Sequence, residues 1–121
     1  MDASEAARRW VDAWTAGWHA HDPEPIAAVY ADDCVFVSHP FRAPLHGKDG
    51  ARAYARQAFA DEESARFEFG EPIVGEDGRA AVEYRAELAV SGGRQSLRGV
   101  TVLRFDERGD VAEHRDYWAI R

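Results

Sequence analysis

The stretch "AAVEYRAELAVSGGRQSLRGVTVLRFDERGDVAEHRDYWAI", residues 80–120, decides the fold of this chain. It contains three segments rich in β-branched and aromatic residues, and these are separated by the turn-forming sequences "SGGR" and "DERG". Polarity that alternates with a period of two is typical of half-buried strands, and tight turns join antiparallel neighbours. The stretch therefore predicts an antiparallel meander.

The chain before this meander has a different period. Apolar residues recur every three or four positions from Ala7 to Trp18, which predicts a first helix that Asp2 or Ser4 can cap. A short second helix is predicted to start near Pro25 and to carry its apolar stripe to Tyr30. The β-branched and aromatic segment "CVFVS" then predicts a strand.

A third helix is predicted from Asp49, which can cap it, up to the acidic stretch "DEES". Helices followed by a meander predict an α+β fold, with three helices packed on one face of a mostly antiparallel sheet. The length of 121 residues predicts a single domain over residues 1–121. Alternation along the first long strand assigns one set of residues to the helix-covered face: Val82, Tyr84, Ala86, Leu88 and Val90.

Charge argues against several classes of partner. The chain carries 22 acidic and 15 basic residues, a net charge of −7, and a negative field repels phosphate backbones and anionic lipids. No apolar run is long enough to cross a membrane, and the first residues resemble neither a signal nor a transit peptide. The lone Cys34 suits a reducing compartment. We therefore expect a cytoplasmic protein that binds neither nucleic acid nor membranes.

The segment "GVTVLRF" has apolar residues on both faces, including Val100 and Val102 opposite Leu103 and Phe105. A single helix layer covers one face only, so this pattern predicts a homodimer packed through the sheet. A monomer in analytical sedimentation would contradict that prediction.

The last strand has two polar faces. One face carries His114, Asp116 and Trp118, and the other carries Glu113, Arg115 and Tyr117. On polarity alone either face can point inward. The first orientation places an ionisable pair beside an indole ring, and the second buries a Glu–Arg–Tyr ladder.

Three segments of the chain resemble a SnoaL-like, nuclear transport factor 2-like domain. They are "IAAVYADDCVFVSHP", "HGKDGARAYARQAF" and "GVTVLRFDERGDVAEHRDYW", and the likeness covers nearly the whole chain. The resemblance implies a cone-like, curved, mostly antiparallel sheet with three N-terminal helices on its concave face. It also implies a deep apolar pocket between the helices and the sheet, into which His114, Asp116 and Trp118 point. The fold hosts isomerases, cyclases, hydrolases and non-catalytic domains, so it implies shape more than chemistry.

Alignment with the ketosteroid isomerases of this superfamily places Trp14 where they have a catalytic tyrosine and Thr101 where they have a protonated acid. Their general base falls on Ser38 or on His39, depending on a gap. Both oxyanion donors are thus replaced, which argues against steroid isomerisation by that mechanism.

Alignment with limonene-epoxide hydrolases gives a partial match. Their catalytic strand-end aspartate falls on Asp116, in the similar motif "HRDYW". The nearest counterparts of their other two catalytic residues are Arg85 and Glu87, but strand alternation turns both away from the pocket. Epoxide hydrolysis is therefore a weaker alternative among the enzymes.

The resemblance implies Asp116 as a proton carrier, with His114 beside it and His39 on the opposite wall. A carboxylate between an indole and an aliphatic wall loses solvation, which suits it to accept a proton from a carbon acid or from water. The expected substrate-binding residues are Trp14, Ser38, Tyr54, Tyr84, Thr101 and Trp118. Tyr84 or Tyr54 can donate a hydrogen bond to a developing oxyanion.

Structural roles are the alternative for each of these residues. Asp116 and His114 can simply pair with each other, His39 can serve its loop, and the tryptophan stripe can be core. No histidine spacing matches a metal motif, and neither "SGGR" nor "HGKDG" has the order of a phosphate loop.

The sequence thus predicts an acid–base enzyme of isomerase, cyclase or hydrolase type, without metal or cofactor, that acts on a hydrophobic small molecule. A non-catalytic small-molecule binding or dimerisation domain is the alternative.

Overall fold

The computed structural model describes the backbone of residues 1–121 and all side chains except those of residues 62–65. Its helices and strands confirm the predicted α+β class, with a mostly antiparallel sheet. The helices are α1 (Ala3–Ala20), α2 (Glu24–Ala27) and α3 (Gly47–Asp61). The strands are β1 (Tyr30–Val37), β2 (Leu45–His46), β3 (Glu62–Phe69), β4 (Ile73–Val74), β5 (Ala80–Val90), β6 (Gly93–Phe105) and β7 (Val111–Ile120).

Helix α1 starts where its capping residue predicts. The Asp2 carboxylate accepts a hydrogen bond of 2.8 Å from the backbone N–H of Glu5, which satisfies one of the free donors of the first turn. Trp10 and Trp14 are buried on the face of α1 that contacts the sheet, so the predicted apolar stripe is part of the core.

The second helix is shorter than predicted. It ends at Ala27, and Tyr30 is the first residue of β1 rather than the end of a helical stripe. The cause is a tertiary contact: the Val111 N–H donates to the Val29 carbonyl at 2.8 Å, and Tyr30 pairs with Val111. Strand pairing with a segment 81 positions away overrides the local apolar spacing.

Helix α3 also begins earlier than predicted, at Gly47 rather than at a cap on Asp49. Gly47 has a φ of 71°, and an added Cβ there would lie 2.7 Å from the Asp32 carbonyl oxygen. Only glycine fits this close approach, so Gly47 fixes the turn into the helix. Asp49 lies in the first turn and accepts a hydrogen bond from Arg52.

The sheet has the strand order β2-β1-β7-β6-β5-β3, and β4 pairs with β5 outside this order. Strands β5, β6 and β7 form the predicted meander. Strand β1 pairs with β7 in parallel, which closes the first half of the chain onto its last strand. Strand β7 therefore lies inside the sheet, between β1 and β6.

The two faces of the sheet differ in burial. On β7, His114 is 2% and Asp116 6% exposed, whereas Tyr117 on the opposite face is 45% exposed. This settles the orientation of the last strand, which polarity alone left open. Val100 and Val102 lie partly buried on the outer face. The homodimer through this face stays a prediction.

Among the residues described, no helix combines the length and the apolar character needed to span a bilayer.

Candidate functional site

A cavity of about 490 Å³ lies between the helices and the sheet. Its walls are mostly aromatic and aliphatic, with a few polar groups. The lining includes Trp14, Tyr54, Tyr84, Thr101, His114, Asp116 and Trp118 from the predicted site, together with Trp10, Trp18, Arg42, Gln57, Ala58, Asp61, Phe67, Phe69, Leu88, Val90, Gln95, Leu97 and Ile120. The structure therefore brings most of the predicted site residues to one cavity.

Ser38 and His39 are not among the lining residues, although both contact them. Ser38 is buried, and its backbone carbonyl accepts a 2.6 Å hydrogen bond from the indole N–H of Trp118. The His39 ring packs edge-on against Trp118 at 4.7 Å between centroids, and its Nδ1 accepts from the Phe41 N–H. Both residues thus position Trp118 and the loop that follows β1.

Asp116 is the residue around which the polar groups of the cavity lining are arranged. Its Oδ1 accepts hydrogen bonds from Thr101 Oγ1 at 2.5 Å and from Tyr84 Oη at 3.4 Å. Its Oδ2 lies 2.8 Å from His114 Nε2. The register of the sheet explains the contact with Thr101, because Thr101 and Asp116 are direct partners across β6 and β7.

A carboxylate offers about four acceptor positions. Three donors surround Asp116, two on Oδ1 and one on Oδ2. One position on Oδ2 therefore has no protein partner, on a side chain that lines the cavity.

His114 is held in one tautomer by the residues behind it. Its Nδ1 lies 2.8 Å from Tyr30 Oη. That phenol oxygen already accepts from the indole N–H groups of Trp10, at 2.9 Å, and Trp14, at 3.0 Å. A phenol oxygen has two acceptor positions and one proton, so the Tyr30 proton goes to Nδ1. The proton of the neutral ring is then on Nε2, where it is donated to Asp116.

Ring stacking fixes the same imidazole from its flank. The Phe36 ring lies 3.8 Å from the His114 ring, centroid to centroid, at an interplanar angle of 15°. His114 is also 2% exposed, so it has little freedom to rotate. The chain of bonds from the two indoles through Tyr30 and His114 therefore orients the carboxylate of Asp116.

Tyr30 is the residue of this hydrogen-bond network that the sequence patterns did not predict. Its position after Ile26 and Val29 predicted a helical stripe, and its hydroxyl partner lies 84 residues away. Phe36 and Arg42 were likewise not singled out. The parallel register of β1 on β7, with Phe36 opposite His114, brings Tyr30 and Phe36 to the site. The loop after β1 brings Arg42 there.

The tyrosines of the site remain neutral phenols. Burial raises the pKa of Tyr54 to about 12, and the charge of Asp116 adds to this effect while Arg42 opposes it. Burial, with Asp116 next in importance, also raises the pKa of Tyr84. Burial raises the pKa of Tyr30 well above its ordinary value. All three are therefore hydrogen-bond donors throughout the neutral range.

Among the side chains described, no three His, Cys, Asp or Glu residues are grouped so that they could hold a metal ion. Cys34 is fully buried, and burial raises the pKa of its thiol. It is thus a small core residue in this fold.

The fold and the site define a small α+β protein with an aromatic cavity and a buried acid–histidine pair. The SnoaL-like domain family matches residues 7–114 of this chain. That match covers most of the sequence, so the chain belongs to the SnoaL-like family.

Two solved structures are similar to this fold. One is the epoxide hydrolase/cyclase-like enzyme SalBIII, described for pyran ring formation in the polyether salinomycin, with a TM-score of 0.81 and 17% identity. The alignment covers 95% of this chain and 91% of that one. The other is a hypothetical protein with a ketosteroid isomerase-like fold from Catenulispora acidiphila, in complex with trimethylamine. Its TM-score is 0.76 and its identity 20%, over 88% of this chain and 82% of that one.

Proposed function

We propose that this protein is a cofactor-independent acid–base enzyme, of isomerase, cyclase or hydrolase type, that acts on a hydrophobic small molecule. The observation that carries the proposal is the carboxylate of Asp116, which is buried in an aromatic cavity and has one acceptor position on Oδ2 without a protein partner. A base in such a place can take a proton from a bound carbon acid or from water.

Each neighbour has a role in this mechanism. Thr101 and Tyr84 hold Oδ1, and His114 holds Oδ2. Asp116 accepts the proton while its contacts keep it at the cavity wall. The neutral phenol of Tyr54 lies in the same cavity and stabilises negative charge that develops on the substrate oxygen. The aromatic walls exclude water and bind the apolar body of the substrate.

A probe that needs only a base in an apolar cavity tests this proposal without knowledge of the natural substrate. In 5-nitrobenzisoxazole, removal of the C–H proton by a carboxylate breaks the N–O bond and releases a coloured phenolate. We expect the protein to accelerate this reaction over acetate at the same pH. Asp116→Asn should lower the rate about 100-fold or more, because the amide cannot take the proton.

Arg104→Gln is the matched control for that experiment, because Arg104 lies exposed on β6 outside the cavity. It should leave the rate unchanged. Equal rates for the Asp116→Asn variant and the unmodified protein would remove Asp116 from the mechanism.

A non-catalytic binding domain is the second candidate. It is favoured by the three hydrogen-bond donors that already surround Asp116, and by the ketosteroid isomerase-like neighbour that holds trimethylamine. Binding of N-phenyl-1-naphthylamine, a neutral apolar dye, together with no acceleration of benzisoxazole cleavage, would favour this candidate over the enzyme.

A further inference from the structure

Arg42 is the cationic residue among the side chains that line the cavity. It lies in the loop between β1 and β2 and is exposed, so its guanidinium is where the cavity meets solvent. Its carbon Cζ is 5.3 Å from the centre of the Trp118 ring, and its Nη1 donates to Ser38 Oγ at 3.2 Å. Ser38 also binds the Trp118 indole, so one small cluster holds the arginine over the cavity.

Arg42 differs from many other arginines of this chain in its partners. Arg9, Arg85 and Arg115 pair with carboxylates at 2.7–2.8 Å. Among the side chains described, Arg42 has the hydroxyls of Ser38 and Tyr54 and an indole face as neighbours, and no carboxylate within ion-pair distance. A guanidinium has five N–H donors, and most of those on Arg42 are therefore free to bind another group.

This unpaired cation is held in a protein with a net charge of −7. Many acidic side chains of the protein could have neutralised this charge, yet the loop keeps Arg42 at the cavity. Planar guanidinium groups bind carboxylates and similar anions through two parallel hydrogen bonds. The arrangement suits an anion that arrives with the ligand.

We propose that the ligand of this cavity is an amphipathic acid, whose apolar body lies between the aromatic walls and whose anionic group is bound by Arg42 at the open side. The inference rests on the proposed small-molecule function of the cavity and names the chemical class of its ligand.

The charges in the cavity also give the ligand a direction. Two carboxylates line the cavity, Asp116 in the interior and the exposed Asp61, and both repel an anion, whereas Arg42 attracts one. Both charges act on Tyr54: Asp116 raises the pKa of its phenol, and Arg42 lowers it. The acid end of the ligand is therefore at Arg42, and its uncharged reactive part is directed toward Asp116.

A matched pair of fluorescent dyes tests the inference. The dyes 8-anilinonaphthalene-1-sulfonate and N-phenyl-1-naphthylamine share one apolar skeleton and differ in a sulfonate. We expect the unmodified protein to bind the sulfonate more tightly. Arg42→Gln should weaken sulfonate binding about tenfold, the loss of roughly one charged hydrogen-bonded contact, and leave the affinity for the neutral dye within about twofold.

Arg104→Gln removes the same charge from a site outside the cavity and serves as the control. It should change neither affinity. An equal loss of sulfonate binding in both variants would assign the effect to overall charge and overturn the inference.

The remaining outcomes separate this inference from the proposed function. If the neutral dye binds and Arg42→Gln leaves sulfonate binding unchanged, the inference is wrong and the apolar cavity stands. If neither dye binds the unmodified protein, both the inference and the proposed function fail. A loss of affinity for both dyes in Arg42→Gln would indicate a displaced Trp118 rather than anion binding, and would also overturn the inference.

Discussion

Tyr30 satisfies three buried groups with one hydroxyl. It accepts from two indole N–H groups and donates to the imidazole of His114. Among the described side chains, no buried nitrogen or oxygen atom is without a hydrogen-bond partner. The phenol thus decides which nitrogen of His114 faces the carboxylate, and it does so without touching the cavity.

Replacement of Tyr30 by phenylalanine should therefore cost more than one ordinary hydrogen bond. The change leaves the Trp10 and Trp14 N–H groups and His114 Nδ1 unpaired in the core, for a loss of about 2–4 kcal/mol in the free energy of unfolding. Urea denaturation followed by tryptophan fluorescence measures this loss. Tyr117→Phe, on an exposed tyrosine, is the control and should change stability by less than about 0.5 kcal/mol.

The same variant tests the positioning role of His114. Without the Tyr30 proton on Nδ1, the imidazole can donate from either nitrogen, so the bond to Asp116 Oδ2 is lost part of the time. Cleavage of 5-nitrobenzisoxazole should fall by roughly tenfold, with a changed pH profile. A stability loss with an unchanged rate and pH profile would restrict Tyr30 to a structural role.

At the scale of elements, strand β6 brings two walls of the cavity together at a glycine. An added Cβ on Gly99 would lie 2.7 Å from Trp118 Cβ, 2.8 Å from Tyr84 Cζ and 2.8 Å from the Tyr117 carbonyl oxygen. The absence of a side chain allows Tyr84 and Trp118, from the strands on either side of β6, to approach each other across it.

Gly99→Ala should therefore displace one or both rings. We expect a loss of about 1–3 kcal/mol in the free energy of unfolding, because the added methyl group would overlap with neighbouring backbone atoms. We also expect weaker binding of N-phenyl-1-naphthylamine. Gly70→Ala is the matched control, because its nearest contact would be an ordinary 3.6 Å to the Glu83 carbonyl oxygen. Equal stability and dye binding in the two variants would contradict the steric account of Gly99.

The elements also show what sequence patterns can predict. The apolar stripe and the Asp2 cap predicted α1, and period-two alternation with turn residues predicted β5, β6 and β7. Both patterns are local, and the structure confirms them. The start of β1 at Tyr30 and of α3 at Gly47 depend on contacts with Val111 and Asp32, which lie outside any local window. The two-residue strand β2 is too short to have a period.

The candidate site likewise has a part that the sequence predicts and a part that it does not. Alternation along β5 and β7, with the family resemblance, placed Tyr84, His114, Asp116 and Trp118 on one face. The direction of the hydrogen bonds, and the part taken by Tyr30, follow from the parallel pairing of β1 with β7, for which the sequence has no local signal.

At the scale of the whole molecule, three phenols with raised pKa values link stability to alkaline pH. A tyrosine with a pKa near 10 when unfolded and a raised pKa when folded holds its proton more tightly in the native state. The contribution of this phenol to the free energy of unfolding is therefore fully present below about pH 10, and it is lost as the pH rises toward the folded pKa. For Tyr54 that window runs from about 10 to about 12.

We accordingly expect the free energy of unfolding to fall steeply above about pH 10. Urea denaturation at about pH 9 and about pH 11 measures the fall, to which Tyr54 contributes about 1 kcal/mol at the higher pH. In Tyr54→Phe the fall should be smaller by that amount, whereas in Tyr117→Phe it should be unchanged. A fall of equal size in both variants would show that Tyr54 does not carry the linkage.

The position of β7 between β1 and β6 has a consequence for how the protein is made. A ribosome synthesises residues 111–120 after the three helices and strands β1–β6, yet this segment joins the two halves of the sheet and supplies His114 and Asp116. A nascent chain therefore has its helices and hairpins before it has a central strand to dock them on. The cavity and its chemistry therefore form together, once β7 has been synthesised and has paired with β1 and β6.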